Sequence, residues 1–242
     1  MAYFSDNLNA LPGLAHAFDE ACDTRTPAGL FYCAQKHGAN VIEVGDEQLA
    51  GIIAGDAVFT RTTRPIGIVT ADCLPILIGS TTDQFVAAIH GGWQGLTAGI
   101  IENSFNAFRL AGISLDNLQV AIGPAIQTCC YEVGSALADK IEQVHGYLWR
   151  GRQAPWSTTR EMSGMTSNFR QAPASHGEAW FDLTLYCLYL LEASGVDRAQ
   201  VQTAGVCTYC AGQNWGSYRR RTHRVEEKTY QYSWICLGDV DA

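Results

Sequence analysis

Three short apolar runs, Pro65–Val69, Leu74–Ile78 and Gln84–His90, constrain most strongly what this chain can fold into. They are rich in Ile and Val, end at Gly, Pro or small polar residues, and fit buried strands better than helices. Further strands are expected at Gly29–Ala34, Asn40–Val44, around Ala57–Thr60, and at Leu118–Ile122, Val201–Cys207 and Gln231–Leu237. Helical spacing places helices at Thr97–Leu110, Ser135–Tyr147 and Asp182–Ala193, with Gly112 and Gly195 suited to stop the first and the last. Strands on both sides of every helix, in irregular order, point to an α+β chain: one layered domain over 1–242, with mixed β-sheets flanked by helices.

Two segments lack such a pattern. Residues 1–28 carry Asn, Asp, Pro and Gly with little periodicity and read as an irregular lead-in. Residues 149–178 hold Arg150, Arg152, Arg160 and Arg170 among prolines, serines and threonines, and read as a surface loop inserted into the domain.

Composition narrows the partners. A net charge of −8 argues against nucleic acid and anionic membranes, which would repel the chain at long range. Met1 to Ala10 shows no basic segment followed by an apolar run, and no stretch of about 20 apolar residues occurs. Nine scattered cysteines are an odd number, better suited to reduced thiols in a cytoplasmic setting than to a disulfide framework. Neither nucleic acid nor a membrane is therefore expected as a partner, and oligomeric state is not legible.

Three glycine-flanked clusters carry the chemistry: Gln35-Lys36-His37-Gly38, Thr70-Ala71-Asp72-Cys73-Leu74-Pro75 and Ala88-Ile89-His90-Gly91-Gly92-Trp93. Each sets a His or Cys at the end of an apolar strand. Two imidazoles and a thiolate are good zinc ligands, and three ligands leave a fourth position open. The same residues read alternatively as hydrogen-bonded core histidines and a small buried thiol. Asp56 and Asp72 are suited to orienting His37 or His90 through the second ring nitrogen. Cys207-Thr-Tyr-Cys210 is a C-x-x-C pattern without a matching second pair, and the vicinal Cys129 and Cys130 read as packing. His16, His145, His176 and His223 are expected to be solvated; Glu43 and Glu132 have no spacing that favours acid–base work over a surface position or a helix start.

These clusters, with Ile122-Gly123-Pro124-Ala125-Ile126, Cys130-Tyr131-Glu132-Val133-Gly134, Cys207-Thr208-Tyr209 and Ser217-Tyr218-Arg219-Arg220, resemble the YfiH-type laccase-domain family over roughly residues 29–145 and 180–237. That family is also called polyphenol oxidase or multicopper-oxidase-like. The resemblance implies a zinc ion held by His37, Cys73 and His90. It also implies phosphorolysis of adenosine, inosine, guanosine and methylthioadenosine, a transferase reaction with phosphate, alongside adenosine deamination. Arg219 and Arg220 are the candidates for gripping phosphate, with a surface charge as the alternative. The chain departs from the family pattern at Gln94, where an Arg is usual. It also lacks the family's Ser-x-Arg-x-Gly-Gly and Asn-Leu-Gly segments, for which residues 19–29 are a short substitute, and carries Arg221-Thr222-His223-Arg224 in place of Thr-Gly-Arg.

Four-copper oxidase chemistry would need on the order of ten imidazoles, and the chain has six histidines with no His-x-His pair. Copper is expected only as a substitute for zinc. Two other uses of the same residues stay open. In one, Cys73 is the nucleophile and His90 its base in a hydrolase, in line with the cysteine-hydrolase-like fold and the peptidoglycan-editing role described for some family members. In the other, zinc only steadies the strand ends of a non-catalytic binding protein.

Overall fold

The computed structural model describes residues 2–21, 26–160 and 179–238. A six-stranded mixed sheet forms its centre, built from β2 (Val41–Glu43), β3 (Ala57–Thr60), β5 (Leu74–Ser80), β6 (Phe85–Gly91), β7 (Gln119–Ile122) and β11 (Val201–Thr203). Their order across the sheet is β11-β7-β5-β6-β3-β2. Every residue of β5 and β6 is buried, so these strands read as continuous apolar runs rather than as alternating ones.

The alternation is there in three dimensions. Leu74, Ile76 and Ile78 of β5 and Phe85, Ala87 and Ile89 of β6 enter one core, together with Ile100, Ile101, Phe105 and Phe108 of α3 (Ile100–Leu110) and most of α5 (Leu183–Ala193). Leu77, Val86 and Ala88 point the other way. There they meet Phe18, Ile66, Ile68 and Ile235 of a second sheet, β1-β12-β4, formed by β1 (Leu14–Phe18), β4 (Ile66–Thr70) and β12 (Gln231–Leu237). Helices, central sheet and small sheet thus make three layers. Each fully buried Leu, Ile, Val or Phe contributes about 1.5–3 kcal/mol, which makes the double-faced strands the energetic centre.

Ala57–Thr60 and Gln231–Leu237 fold within the bounds expected of them. Other expectations need correction. The lead-in is not irregular: it holds α1 (Asp6–Asn9) and β1, which pairs antiparallel with β12 from Leu14↔Leu237 to Phe18↔Ser233. Gly29–Ala34 makes only single bridges, Phe31↔Ile66 and Ala34↔Ala54. The helix expected over Thr97–Leu110 begins earlier and is broken: Gly99, at φ +90°, separates α2 (Trp93–Thr97) from α3. Val201–Cys207 is a strand only to Thr203.

The expected surface loop at 149–178 is, in its first part, built into the fold. Trp149 is buried and meets the ring of Trp156 edge-on at 5.5 Å; Trp156 lies in β9 (Trp156–Ser157). That strand joins β8 (Glu132–Val133) and β10 (Ala179–Phe181) in a third small sheet. Residues 161–178 of that segment, His176 included, lie outside the described residues.

Candidate metal centre

The register of the β5–β6 hairpin brings the chemistry to one end of the sheet. Leu74 pairs with Gly91 and Pro75 with His90, so Cys73, one residue before β5, stands beside the end of β6. His37 reaches the same point from the turn before β2, at a φ of +57° that a non-glycine residue holds only when its surroundings enforce it. Asp56, just before β3, does the enforcing. Its carboxylate accepts the backbone N–H groups of Lys36, His37 and Gly38 at 3.0, 2.9 and 2.8 Å.

The same carboxylate accepts from His90 Nδ1 at 2.8 Å. Burial acts to raise the Asp56 pKa, but the bonds from His90, Gly38 and Lys36 outweigh it and hold the carboxyl below its ordinary value. An ionised carboxylate can only accept, so Nδ1 of His90 carries a proton and Nε2 is the ring atom left to serve as a donor to a metal. His37 Nε2 lies 3.8 Å from Cys73 Sγ, and the two imidazole rings are 4.7 Å apart. One ligand atom from each of His37, Cys73 and His90 falls within 4.8 Å of the others.

Electrostatics suit a cation. Burial alone would raise the Cys73 pKa, yet hydrogen bonds to His37 and His90 and their nearby charge bring it down to about 7. Burial would lower that of His90, but Asp56 and Cys73 push it up to about 9. The thiol is thus shifted toward thiolate and the ring toward imidazolium, and a divalent ion would compete with the shared proton for the same donors. The donor set, two imidazoles and one thiolate with a carboxylate behind one ring, is what zinc prefers. Gly92 leaves the room: a Cβ there would stand 2.9 Å from His37 Cδ2 and 3.1 Å from Cys73 Sγ.

A cleft of about 940 Å³ opens over the three side chains. Tyr32, Tyr230 and Tyr232 give it an aromatic wall, with Tyr32 and Tyr232 meeting edge-on at 5.6 Å. Arg219, Arg221 and Lys228 give it positive charge, and Gln94 lines it as well. Arg219 donates through Nη1 to Glu132 O at 2.8 Å and lies over the Tyr131 ring.

Arg220 is not among the residues lining this cleft. It is 2% exposed, and its guanidinium is spent on Thr208 O, Tyr209 O, Trp215 O and the Glu226 carboxylate, so it is neither a surface charge nor placed to grip phosphate there. Asp72 orients neither histidine. Its buried carboxylate accepts from Thr208 Oγ1 at 2.6 Å and from the backbone N–H of Arg219 at 2.7 Å. Two histidines expected in solvent are also buried. His16 Nε2 accepts from Ser5 N at 2.9 Å, and His145 Nδ1 lies 2.6 Å from the Tyr186 hydroxyl. Sequence reasoning missed Arg221, Lys228 and the tyrosines; only the basic run after Arg219 hinted at them.

A layered α+β domain with a His₂Cys centre at its strand ends is the class of protein that fold and site define. Residues 14–235 match the family described as multi-copper polyphenol oxidoreductase laccase, and the chain belongs to that family, in its YfiH-type branch. It is 30% identical over 176 residues to adenosine deaminase RL5 from an unknown prokaryotic organism, covering 72% of this chain and 60% of that protein. Purine nucleoside phosphorylase YfiH of Shigella flexneri is 28% identical over 195 residues, covering 80% of this chain and 70% of its own length. Among solved structures, YlmD from Geobacillus stearothermophilus superposes with a TM-score of 0.76 at 20% identity, over 97% of this chain and 94% of that one. The hypothetical protein YfiH of Bacillus licheniformis gives 0.71 at 23%, over 86% and 74%. Among the described residues, no helix is long and apolar enough to cross a membrane.

Proposed function

We propose that this chain is a cytoplasmic, zinc-dependent purine nucleoside phosphorylase that also deaminates adenosine. The observation that carries this reading is the convergence of His37, Cys73 and His90 under a cleft walled by tyrosines and cations. The names of its relatives, a phosphorylase and a deaminase, point the same way. Adenosine, inosine, guanosine and methylthioadenosine are the substrates expected.

Tyr32, Tyr230 and Tyr232 offer ring faces and edges to a purine, while Arg219, Arg221 and Lys228 attract and orient phosphate. Asp56 fixes His90, and the three N–H groups it accepts fix the turn carrying His37. A zinc ion held by His37, Cys73 and His90 would supply a Lewis acid with an open fourth position. In phosphorolysis a phosphate oxygen bonds to C1′ as the glycosidic C–N bond breaks. The purine leaves with the bonding pair and takes up a proton, and ribose 1-phosphate is released. In deamination the C6 amino group leaves as ammonia and its place is taken by oxygen from water.

The test pairs elemental analysis with chromatography of adenosine reactions run with and without phosphate. Zinc lost with Cys73→Ser, together with adenine released only when phosphate is present, supports the reading; inosine marks the deaminase branch. Zinc without any product from any of the four nucleosides would overturn it in favour of a binding protein. A second reading rests on the Cys73 thiol standing 3.8 Å from His37 Nε2 with its pKa near 7. There Cys73 is a nucleophile with His90 as its base, and zinc-free protein would be active and lose that activity on alkylation of Cys73.

A further inference from the structure

Two pairs of cysteines that the sequence keeps about eighty residues apart meet in the fold. Cys129 and Cys130 lie in the turn after Gly123-Pro124, and Cys207 and Cys210 in the turn after β11. A parallel bridge, Ala125↔Cys207, ties the two turns together, with Ala125 N donating to Val206 O and Thr208 N to Ala125 O at 3.1 Å each. The four thiols are at most 2% exposed, and their sulfurs all lie within 4.8 Å of one another. With Ile126 and Tyr209 they make a small core of their own, separate from the two large ones.

We propose that Cys129, Cys130, Cys207 and Cys210 form a second, closed metal site that holds one zinc ion as a four-thiolate centre. Geometry is the first argument. Zn–S bonds of about 2.3 Å in a tetrahedron put the sulfurs about 3.8 Å apart. Here Cys129 and Cys210 are 3.8 Å apart and Cys130 and Cys210 are 3.3 Å apart. Thiols packed merely as apolar groups have no reason to turn all four sulfurs onto one point. A polynuclear iron–sulfur cluster places its thiolates around a cage of several atoms and needs a wider ring than this one.

The surroundings are the second argument. Four thiolates around Zn²⁺ leave a net charge of −2, and two guanidinium groups stand close by. Arg220 donates to Thr208 O and Tyr209 O inside the C-x-x-C turn, and Arg160 donates through Nε to Cys129 O at 2.7 Å. Arg220, misplaced as a phosphate ligand, thus acquires a role: it fastens the turn carrying half of this centre and offsets its charge.

Such a site has no open position and does no chemistry itself. Thr208, which lies between Cys207 and Cys210, bonds the Asp72 carboxylate, the neighbour of Cys73, and so is a point of contact with the strand-end centre. The inference concerns metal content alone and stands whether or not the chain turns over a nucleoside.

The test is zinc stoichiometry of the full chain purified under reductant, compared with Cys73→Ala/His90→Ala and with Cys129→Ser/Cys210→Ser. Two zinc per chain are expected in the parent and one in each double variant. Should Cys129→Ser/Cys210→Ser fail to fold, cobalt(II) substitution of Cys73→Ala/His90→Ala decides. Strong sulfur-to-cobalt charge-transfer bands and tetrahedral visible absorption would show the four-thiolate site alone. One zinc in the parent with none in Cys73→Ala/His90→Ala would overturn the proposal. So would a Cys130–Cys210 or Cys129–Cys210 disulfide, found by mass spectrometry in the reductant-purified parent.

Discussion

The strand-end centre and the four-cysteine cluster are built from the same soft ligand in opposite ways. At the strand ends one thiol is joined by two imidazoles under an open cleft, and His37 is exposed. In the cluster four thiols face one another with all ligands buried. The first arrangement leaves a coordination position and charged walls for a substrate; the second closes on itself and can only hold backbone in place. On the readings proposed above, what would separate reactive from structural sulfur is which neighbours share the ion and whether solvent can reach it.

The largest effect should come from the open centre. Cys73→Ser removes its one soft ligand, and loss of its zinc with a fall in turnover of more than about a hundredfold is expected. The unfolding temperature should fall less than in the cluster variant below, because Cys73 borders a cleft rather than a core. Parallel assays of zinc, turnover and Tm on one preparation check this, and a collapse of Tm would erase the contrast between the two regions. Cys210→Ser should do the reverse. It should lower stability by about 3 kcal/mol or more, a fall of roughly 6–12 °C in a chain of this size. The zinc at His37, Cys73 and His90 should be kept.

Acid separates loss of metal from loss of fold. His16 is buried with Nε2 accepting from Ser5 N, and burial pushes its pKa down to about 4. The unfolded chain, with an ordinary histidine, binds that proton first as pH falls, so His16 contributes stability that is intact above about pH 6.5 and drains away towards pH 4. The gap corresponds to about 3 kcal/mol at its fullest. His16→Gln should flatten unfolding between pH 6.5 and 4, measured by denaturant titration, while zinc release over the same range stays as in the parent.

How much of this contrast the primary structure discloses depends on how far apart its parts lie. His37, Cys73 and His90 each stand at the end of an Ile- and Val-rich run beside glycine, a local signal, and the hairpin register of β5 and β6 does the rest. The cysteine cluster has no such signal. Its halves join through Ala125↔Cys207, a contact that only the folded chain makes, so Cys129 and Cys130 read as packing and the C-x-x-C as unmatched. β1 was hidden for the same reason: Leu14–Phe18 becomes a strand by pairing with β12 near the other end of the chain. Arg219 and Arg220 are adjacent and chemically identical, yet one lines the cleft and the other is buried under Trp215 O and Thr208 O. Helix α6 (Tyr218–Arg224) turns one outward and one inward, and nothing in the pair itself says which.

Smaller changes test how each region is held. Asp56→Asn keeps the shape but loses the charge behind His90, and its amide N cannot accept the two bonds that each carboxylate oxygen takes. A fall of about 10–100-fold in zinc affinity is expected at the strand ends, read by competition with a chromogenic chelator, with the cluster's zinc untouched.

Thr208→Val asks whether the two regions are independent at all. Its hydroxyl is the one side-chain donor from within the C-x-x-C turn to the Asp72 carboxylate, at 2.6 Å, and valine keeps the shape without the bond. Asp72 keeps the backbone N–H of Arg219, at 2.7 Å, so the carboxylate is weakened rather than abandoned. A stability cost of about 1–3 kcal/mol follows from leaving a buried acceptor short of a partner. Zinc should remain at both sites, since no ligand is touched. If the cluster positions Cys73 through this contact, turnover should fall severalfold in kcat with KM little changed, and restoring the hydroxyl with Thr208→Ser should recover most of it. Equal kcat in Thr208→Val and the parent would break the link and leave the cluster a clamp for its own two turns.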